Sequence, residues 1–546
     1  MQNQKTFQNP ILSGNYPDPS ICRVGEDYYL ACSSFEFTPG IPVFHSRDLV
    51  HWEQICNALT EENGLHVERN CGIGGLMAPT IRYRKGLFYI INANFNDKGN
   101  YIVTAEDPRG PWSEIHWMDD VPGIDASIFF DSDDQAYVIG TGNVWDNGTG
   151  VKERGFWLAK YDIENFRMIG KPVTIFNSAL RVGASPEAPH LYHIGDYYYL
   201  MFAEGGTEHY HSVMIARSKE LFGFYEGYPG NPVMTHRHMG FNSPIINIGH
   251  ADLVELPDGS WYAVLLGSRL IEGRHKNLGR ETFLCPVVWE RDWPLFSPET
   301  GKVEWEYPVP PLPQFECKPE PAFDDFDGKQ PALCWSLWGT PPKGLLTMAD
   351  SAVCLKCVRQ APEDALRPIR IGEEKSQEHF AAFLARRQRA VNTTATCRIR
   401  FSPHNQERAG LAVVQALNHQ LQVELAQKDG QTLLRAVVIT TDYNAMPFFP
   451  GFQAETTREI AAELPWNRDS AVLQLEMRGQ NWTVRCGETK EQMQELANID
   501  GRRICPEKIG CLCGIMIGMF ATGGGTESDN TAAFDWFSLE DKTEEK

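Results

Sequence analysis

Three carboxylates and an imidazole stand in short segments that look alike, and together they suffice for acid–base chemistry. Asp18 lies in NYPDPS, Asp125 in GIDAS, Glu187 in SPEAPH and His250 in GHADL. Pro17 and Pro19 flank Asp18. Proline fixes its own φ and biases the preceding residue toward extended backbone, so this carboxylate is held on a stiff segment. Carboxyls gathered in a desolvated place repel when ionised, so at least one has its pKa raised and keeps a proton near neutral pH. An ionised carboxylate facing a protonated one is the pairing that cleavage of a glycosidic bond needs. Taken singly, each has a plainer role: Asp18 and Asp125 as turn or capping residues, Glu187 as a solvated edge charge.

What would gather them is a repeat. Asp18-Pro-Ser-Ile, Met77-Ala-Pro-Thr-Ile, Asp125-Ala-Ser-Ile, Glu187-Ala-Pro-His-Leu and His250-Ala-Asp-Leu resemble one another. Each leads into a strand, a turn with Gly or Asp, and a second strand, as in ICRVGEDYYLA, IRYRKGLFYII, FFDSDDQAYVI, LYHIGDYYYLM and LVELPDGSWYAVL. Gly and Asp tolerate the positive φ of tight hairpin turns. Later phrases (HSRDLVHWEQI, TAEDPRGPWSEI, ARSKELFGFYEGY) read as a third strand, a surface turn and an outer strand. Four antiparallel strands repeated five times predict a five-bladed β-propeller. Its innermost strands line the axis, so Asp18, Met77, Asp125, Glu187 and His250 are expected to converge at one end.

The propeller is expected over residues 1–305. EYPVPPLPQFECKPEPAF, residues 306–323, concentrates proline and reads as a semi-rigid linker. Beyond it TATCRIRF, GLAVVQAL, LQVELA, AVLQLEM and AAFDWFSLE show strand patterning. This predicts a β-sandwich accessory domain over 324–546. The expected fold class is all-β: a five-bladed β-propeller followed by a C-terminal β-sandwich.

A chain of 546 residues is too long for one core. Its net charge of −21 argues against nucleic acid, which needs a basic surface, and suits a neutral substrate. The start, MQNQKTFQNPILSGNYPDP, lacks a basic segment followed by an apolar one, and no run reaches about 18 apolar residues. The expectation is a soluble protein with no secretion signal and no membrane partner. Fourteen cysteines then read as reduced, mostly buried thiols in the cytoplasm.

The segments NPILSGNYPDPSICRVGEDYYLACSSFEFTPGIPVFHSRDLVHW, GIDASIFFD, SPEAPHLYHIGDYYYLMFAEGGTEH, GHADLVELPDGSWYAVLLGSR and LGRETFLCPVVWERDWPLF resemble glycoside hydrolase family 43, in its two-domain β-xylosidase and α-L-arabinofuranosidase branch. The resemblance runs through the whole propeller and more weakly to the C-terminus. It implies Asp18 as the general base that activates water, Glu187 as the general acid, and Asp125 as the residue that orients the acid and tunes its pKa. It also implies inversion of configuration, with base and acid about 6.5 to 9.5 Å apart. Arg280 corresponds to a clamp on sugar hydroxyls and Phe35 to an aromatic of the pocket wall; a salt bridge and a core aromatic are their plainer roles. His250 corresponds to a histidine beneath the pocket, in some members beside a divalent ion. A hydrogen-bonded core histidine is the plainer role, and a hydrated calcium or magnesium ion would be compatible with it. No cofactor is expected to be required. Related xylosidases commonly carry tryptophan where this chain has Met77, which loosens the preference for xylose over arabinofuranose. The sandwich domain is expected to pack on the propeller and lend a loop to the pocket mouth.

The implied activity is release of terminal xylose from β-1,4-xylooligosaccharides by an inverting exo-glycosidase. Arabinofuranosidase activity, alone or in the same pocket, is the alternative, and a non-catalytic sugar-binding propeller the reading from another class. Partners are a xylooligosaccharide or an arabinose-bearing oligosaccharide, with a homo-oligomer left open. Several motifs are set aside. Cys354-Leu-Lys-Cys357 lacks a second ligand pair for zinc. CGIGG at 71–75 reads as a turn, and Cys511-Leu-Cys513 as buried strand. His236, His238, Glu208 and His211 read as loop or rim residues.

Overall fold

Five four-stranded antiparallel sheets follow one another along the first half of the chain. A computed structural model describes residues 5–70, 72–146, 152–177, 185–364, 380–415, 418–445, 451–505, 507 and 512–542. The first blade is built of Ser20–Val24, Asp27–Ala31, Gly40–Ser46 and Glu53–Leu59. The other blades open with Leu76–Arg84, Ser127–Phe130, Glu187–Ile194 and Ile245–Glu255, each paired to the strand that follows it. No α-helix occurs among the described residues. The repeat read from the sequence is thus a five-bladed β-propeller.

The apolar residues of adjoining blades fuse into shared cores, which is what holds such a ring. Ile41, Val43 and Leu59 of the first blade pack with Ile81, Ile90 and Val103 of the second. Ile91, Ile128 and Val138 join the second to the third, and Ile139, Leu158, Leu191 and Phe202 the third to the fourth. The last core unites the fourth and fifth blades with the first through Met201, Ile215, Leu265, Phe283, Leu30 and Phe44. Burial of branched and aromatic side chains stabilises each seam by about 1.5 to 3 kcal/mol per fully buried residue. Closure is completed where Thr6–Gln8 pairs with Glu306–Pro308. The first residues of the expected linker therefore form a strand of a small two-stranded sheet with the N-terminal segment. The remainder stays close to the first blade, with the Phe315 N–H donating to Asp48 and the Lys318 N–H to Glu53.

Two eight-stranded sheets form the C-terminal β-sandwich, with Leu411, Val423, Leu473 and Phe534 among the residues between them. One of these sheets ends in a strand lent by the propeller: Phe37–Thr38 pairs with Ser336–Trp338. Next to it the backbone N–H groups of Asn70, Gly72 and Gly74 donate to the buried carboxylate of Glu36 at 2.8, 2.9 and 3.1 Å, and Trp338 Nε1 donates at 3.0 Å. The glycine-rich turn is thus an anion cradle filled by the chain's own Glu36, although Cys71 itself lies outside the described residues. The two domains share a sheet and a buried polar knot at this point.

Candidate active site

Asp18 stands just before the innermost strand of the first blade, with φ at 56°. The matching positions of the other blades also have positive φ: Ala78 at 47°, Asp125 at 55°, Ala188 at 49° and His250 at 48°. This corrects the repeat register read from the sequence, in which Met77 and Glu187 were aligned with Asp18. The structure aligns Ala78 and Ala188 with it and sets Met77 and Glu187 one residue earlier. Their side chains still serve the same end of the ring, because the ladders are bulged between Met77 and Thr80 and between Glu187 and His190. A bulge re-aims a side chain without ending the sheet.

Asp18 is 4% exposed and fully engaged. Ser33 Oγ donates to its Oδ2 at 2.6 Å and Arg280 Nη1 donates to its Oδ1 at 2.9 Å. His250 Nδ1 lies 3.6 Å from the same Oδ1. Burial acts to raise the pKa of Asp18, but Arg280, His250, the Ser33 hydroxyl and His211 outweigh it and hold the carboxyl below its ordinary value. It is a charged carboxylate at neutral pH.

Asp125 and Glu187 have the opposite setting. Burial, then Glu187, then Asp18 raise the pKa of Asp125 well above the ordinary carboxyl range, although the Ala188 N–H and Arg280 act against this. Glu187 is raised to about 6, by burial first; Arg154, whose Nη1 is 3.7 Å from Glu187 Oε1, and Arg280 oppose the shift, while Asp18 adds to it. The sequence reading made Asp125 the residue that raises the pKa of Glu187. In the structure the Glu187 charge adds to burial in raising Asp125, whereas Glu187 is raised by burial and by Asp18.

Arg280 joins the pieces. Besides Asp18 it donates from Nη1 to Thr207 Oγ1 at 2.9 Å and from Nε to the Leu512 carbonyl at 3.0 Å, and its guanidinium lies 5.5 Å over the Phe35 ring. Phe35, 1% exposed, packs against this guanidinium as a buried aromatic. Met77 is half-buried at the entrance to its blade. His250 is buried, and its pKa is lowered by burial against the pull of Asp18, so the imidazole is neutral.

A second polar cluster lies further along the inner strands. Arg82 Nη1 and Ser20 Oγ donate to Asp252 Oδ2 at 2.8 and 2.7 Å, and the Tyr192 hydroxyl donates to Asp252 Oδ1 at 2.6 Å. Arg82 Nη2 lies 3.1 Å from His190 Nδ1, which accepts from it. Neutral His190 therefore carries its proton on the buried Nε2, so that atom offers an N–H rather than a lone pair. Among the described residues no group of three or more His, Cys, Asp or Glu side chains is placed to hold a metal ion. A divalent ion near His250 would have that one imidazole as its side-chain ligand, with water completing the shell.

The sequence reading missed Ser33, Thr207, Arg154 and the segment Leu512–Ile515. Cys513 was read as buried strand. It is buried, but the strand begins at Met516, and residues 512–515 dock on the propeller. Cys511 lies outside the described residues. The Ile515 N–H donates to the Asn277 carbonyl at 2.7 Å and Cys513 Sγ to the Gly72 carbonyl at 2.6 Å. Gly279 and Gly514 meet there backbone to backbone: a Cβ on Gly514 would come within 2.6 Å of the Leu278 carbonyl. His211, read as a rim residue, is buried, with Nδ1 donating to the Asn247 carbonyl at 2.9 Å. His236 is likewise structural: Nδ1 donates to the Ile245 carbonyl and Nε2 accepts from the Val303 N–H. His238 is exposed.

The family described as glycosyl hydrolases family 43 matches residues 7–294, and the β-xylosidase C-terminal concanavalin A-like domain matches residues 323–540. The chain is 36% identical over 544 residues to a xylosidase/arabinosidase of Butyrivibrio fibrisolvens, covering 98% of this chain and 99% of the relative. It is 35% identical over 556 residues to a non-reducing end α-L-arabinofuranosidase of Bacteroides ovatus, covering 98% and 95%. Among solved structures, a Bacteroides ovatus protein titled xyloglucan PUL GH43B superposes with a TM-score of 0.84 at 34% identity, covering 98% of this chain and 100% of that one. A xylan β-1,4-xylosidase from Bacillus halodurans also gives 0.84, at 27% identity with the same coverage.

Proposed function

The chain belongs to glycosyl hydrolases family 43 and is a glycoside hydrolase, and we propose that it releases terminal non-reducing xylose from β-1,4-xylooligosaccharides with inversion. The observation that carries this reading is the opposite electrostatic setting of Asp18 and the Asp125/Glu187 pair. Asp18, charged, takes a proton from a water whose oxygen attacks the anomeric carbon. Glu187 delivers its proton to the glycosidic oxygen as the carbon–oxygen bond breaks. Asp125 orients Glu187 for this transfer. One displacement then yields the free sugar with inverted anomeric configuration and the shortened oligosaccharide.

Arg280 clamps sugar hydroxyls while fixing Asp18, and Phe35, Met77 and His250 complete the inner subsite. The Leu512–Ile515 segment against Asn277–Arg280 supports an exo-acting pocket, since a wall from the second domain leaves room for a chain end rather than a chain middle. A calcium or magnesium ion held by His250 would organise the site; the proton transfers above are made by side chains. The twelve described cysteines are all thiols, which supports a reducing, cytoplasmic setting and imported oligosaccharides.

A second reading is α-L-arabinofuranosidase activity in the same pocket. It is favoured by Met77, a flexible thioether in the inner subsite, and by relatives named for both activities. Paired assays on nitrophenyl xyloside and nitrophenyl arabinofuranoside separate the two. Asp18→Ala and Glu187→Ala are each expected to abolish hydrolysis of xylobiose. Glu187→Ala regains part of its rate with a leaving group that needs no proton, whereas Asp18→Ala does not. Proton NMR of the first-formed sugar is expected to show the inverted anomer, and a retained anomer overturns the mechanism.

A further inference from the structure

The loops at the Glu187 end of the propeller carry exposed aromatic side chains that the chemistry above does not use. Glu187 pairs with Ala203 and Glu204 with Ser212, so the 205–211 turn lies at the Glu187 end of the fourth blade. Residues 236–244 lie on the same face, because Met234 bridges Val213 and Thr235 Oγ1 donates to the His211 carbonyl at 2.7 Å. On these loops the ring of His209 stacks on Phe241, with centroids 3.7 Å apart and planes 18° from parallel. Tyr210 meets His209 edge-on at 5.1 Å. Phe241 is 69% exposed and Tyr210 62%.

Single exposed apolar side chains are ordinary, but here Phe241, His209 and Tyr210 touch one another in one contiguous exposed patch, and such patches mark interaction sites. These loops are tied to the pocket. Thr207, two residues before His209, accepts from the same Arg280 Nη1 that holds Asp18. Glu208 accepts from Lys276 Nζ at 2.6 Å, and Lys276 N–H donates to Glu507 of the second domain at 2.8 Å. The surface therefore keeps a fixed relation to the reacting groups. It stands over the blade that carries Glu187, which is the side of the leaving group.

We propose that Phe241, backed by His209 and flanked by Tyr210, is an outer subsite that stacks on a xylopyranose ring of the leaving-group chain. The inference rests on the activity proposed above and specifies how long a substrate it favours. A xylopyranose ring has apolar C–H faces and equatorial hydroxyls, so an aromatic plane covers its face while the hydroxyls stay in water.

The test compares kcat/KM for xylotetraose and for nitrophenyl xyloside in the unmodified chain, in Phe241→Ala and in Tyr210→Ala. For Phe241→Ala the tetraose-to-nitrophenyl ratio is expected to fall about 3- to 10-fold, carried by KM. Tyr210→Ala is expected to lower it in the same direction. An unchanged ratio, whether both substrates are spared or both lose equally, overturns the outer subsite while leaving the hydrolase assignment intact. If the unmodified chain hydrolyses neither substrate, the proposed activity fails on its own. Calorimetric titration with xylotetraose then decides the subsite: binding about 3- to 10-fold weaker in Phe241→Ala supports it, and equal binding overturns it.

Discussion

Arg154→Met removes a cation 3.7 Å from Glu187 Oε1 and keeps an unbranched side chain in its place. A positive charge there favours the ionised form of Glu187, so its loss raises the pKa of the acid. Two unit charges at that distance interact by about 1 to 4 kcal/mol for effective dielectric constants between those of water and a protein surface. The Arg154 side chain is 46% exposed and that of Glu187 27%, so solvent screens the pair and the working figure is about 0.3 to 1 kcal/mol. That corresponds to about 0.2 to 0.7 pH units. In the unmodified enzyme kcat/KM is expected to fall as pH rises through about 6, where Glu187 loses its proton. In Arg154→Met this alkaline limb moves upward by the stated amount, read in stopped assays on nitrophenyl xyloside so that the product's own ionisation does not distort the profile. High salt, which shortens the screening length to about 3 Å near 1 M, moves the limb of the unmodified enzyme the same way and that of the variant less. The acid limb belongs to Asp18 and lies below the ordinary aspartate range in both proteins. A limb that stays put or moves downward refutes the coupling of Arg154 to Glu187. An alkaline limb near the ordinary glutamate value of about 4.3 refutes the raised pKa of Glu187 itself.

The raised pKa of Glu187, about 6, also sets how stability depends on pH. Stability linked to this group is complete below its unfolded-state value and is lost as pH rises through about 6, because the native state holds the proton more tightly. Glu187→Gln cannot ionise, so it is expected to melt above the unmodified protein near pH 8, by the equivalent of about 1 to 2 kcal/mol, and to match it near pH 4. Equal melting at both pH values, followed by differential scanning fluorimetry, would remove the burial argument. Gly514→Ala brings a Cβ within 2.6 Å of the Leu278 carbonyl, so the docked segment must shift and carry the Leu512 carbonyl off Arg280. A loss of about 10-fold or more in kcat/KM with an unchanged circular dichroism spectrum is expected, at about 1.4 kcal/mol per tenfold; full activity would show that the second domain does not brace the clamp.

Much of this protein is legible in the chain itself because its elements are local and repeated. A hairpin needs its turn residues and alternating strands, both of which lie within about a dozen residues. Five copies of that pattern imply a ring, and a ring implies that Asp18, Asp125 and Glu187 share one end. Arg280 and His250 were legible as well, since both stand in repeated or motif-like segments. The one-residue register difference at Met77 and Glu187 stands in the segments themselves, where Ala78-Pro-Thr-Ile and Ala188-Pro-His-Leu match Asp18-Pro-Ser-Ile, but the bulge that re-aims those side chains was not legible, because it is defined by pairing across strands. Nor was the partnership of Asp18 with Ser33, or of Glu187 with Arg154, since each depends on which side chains meet once the blades have twisted.

CLCGIMIGMF shows where sequence stops and tertiary structure begins. Its apolar run correctly announces a buried strand, and Met516–Thr522 is one. Its first described residues instead leave the sheet and meet Gly279 across a gap too narrow for a Cβ, placing the Leu512 carbonyl on Arg280. Hydrophobicity states that a segment is buried but not against what. The sequence alone determined the propeller and the sandwich, because those follow from patterns within the chain. Only the tertiary structure decided which cation faces each carboxyl and which loop packs on Arg280, because close contacts depend on distances between residues up to several hundred positions apart.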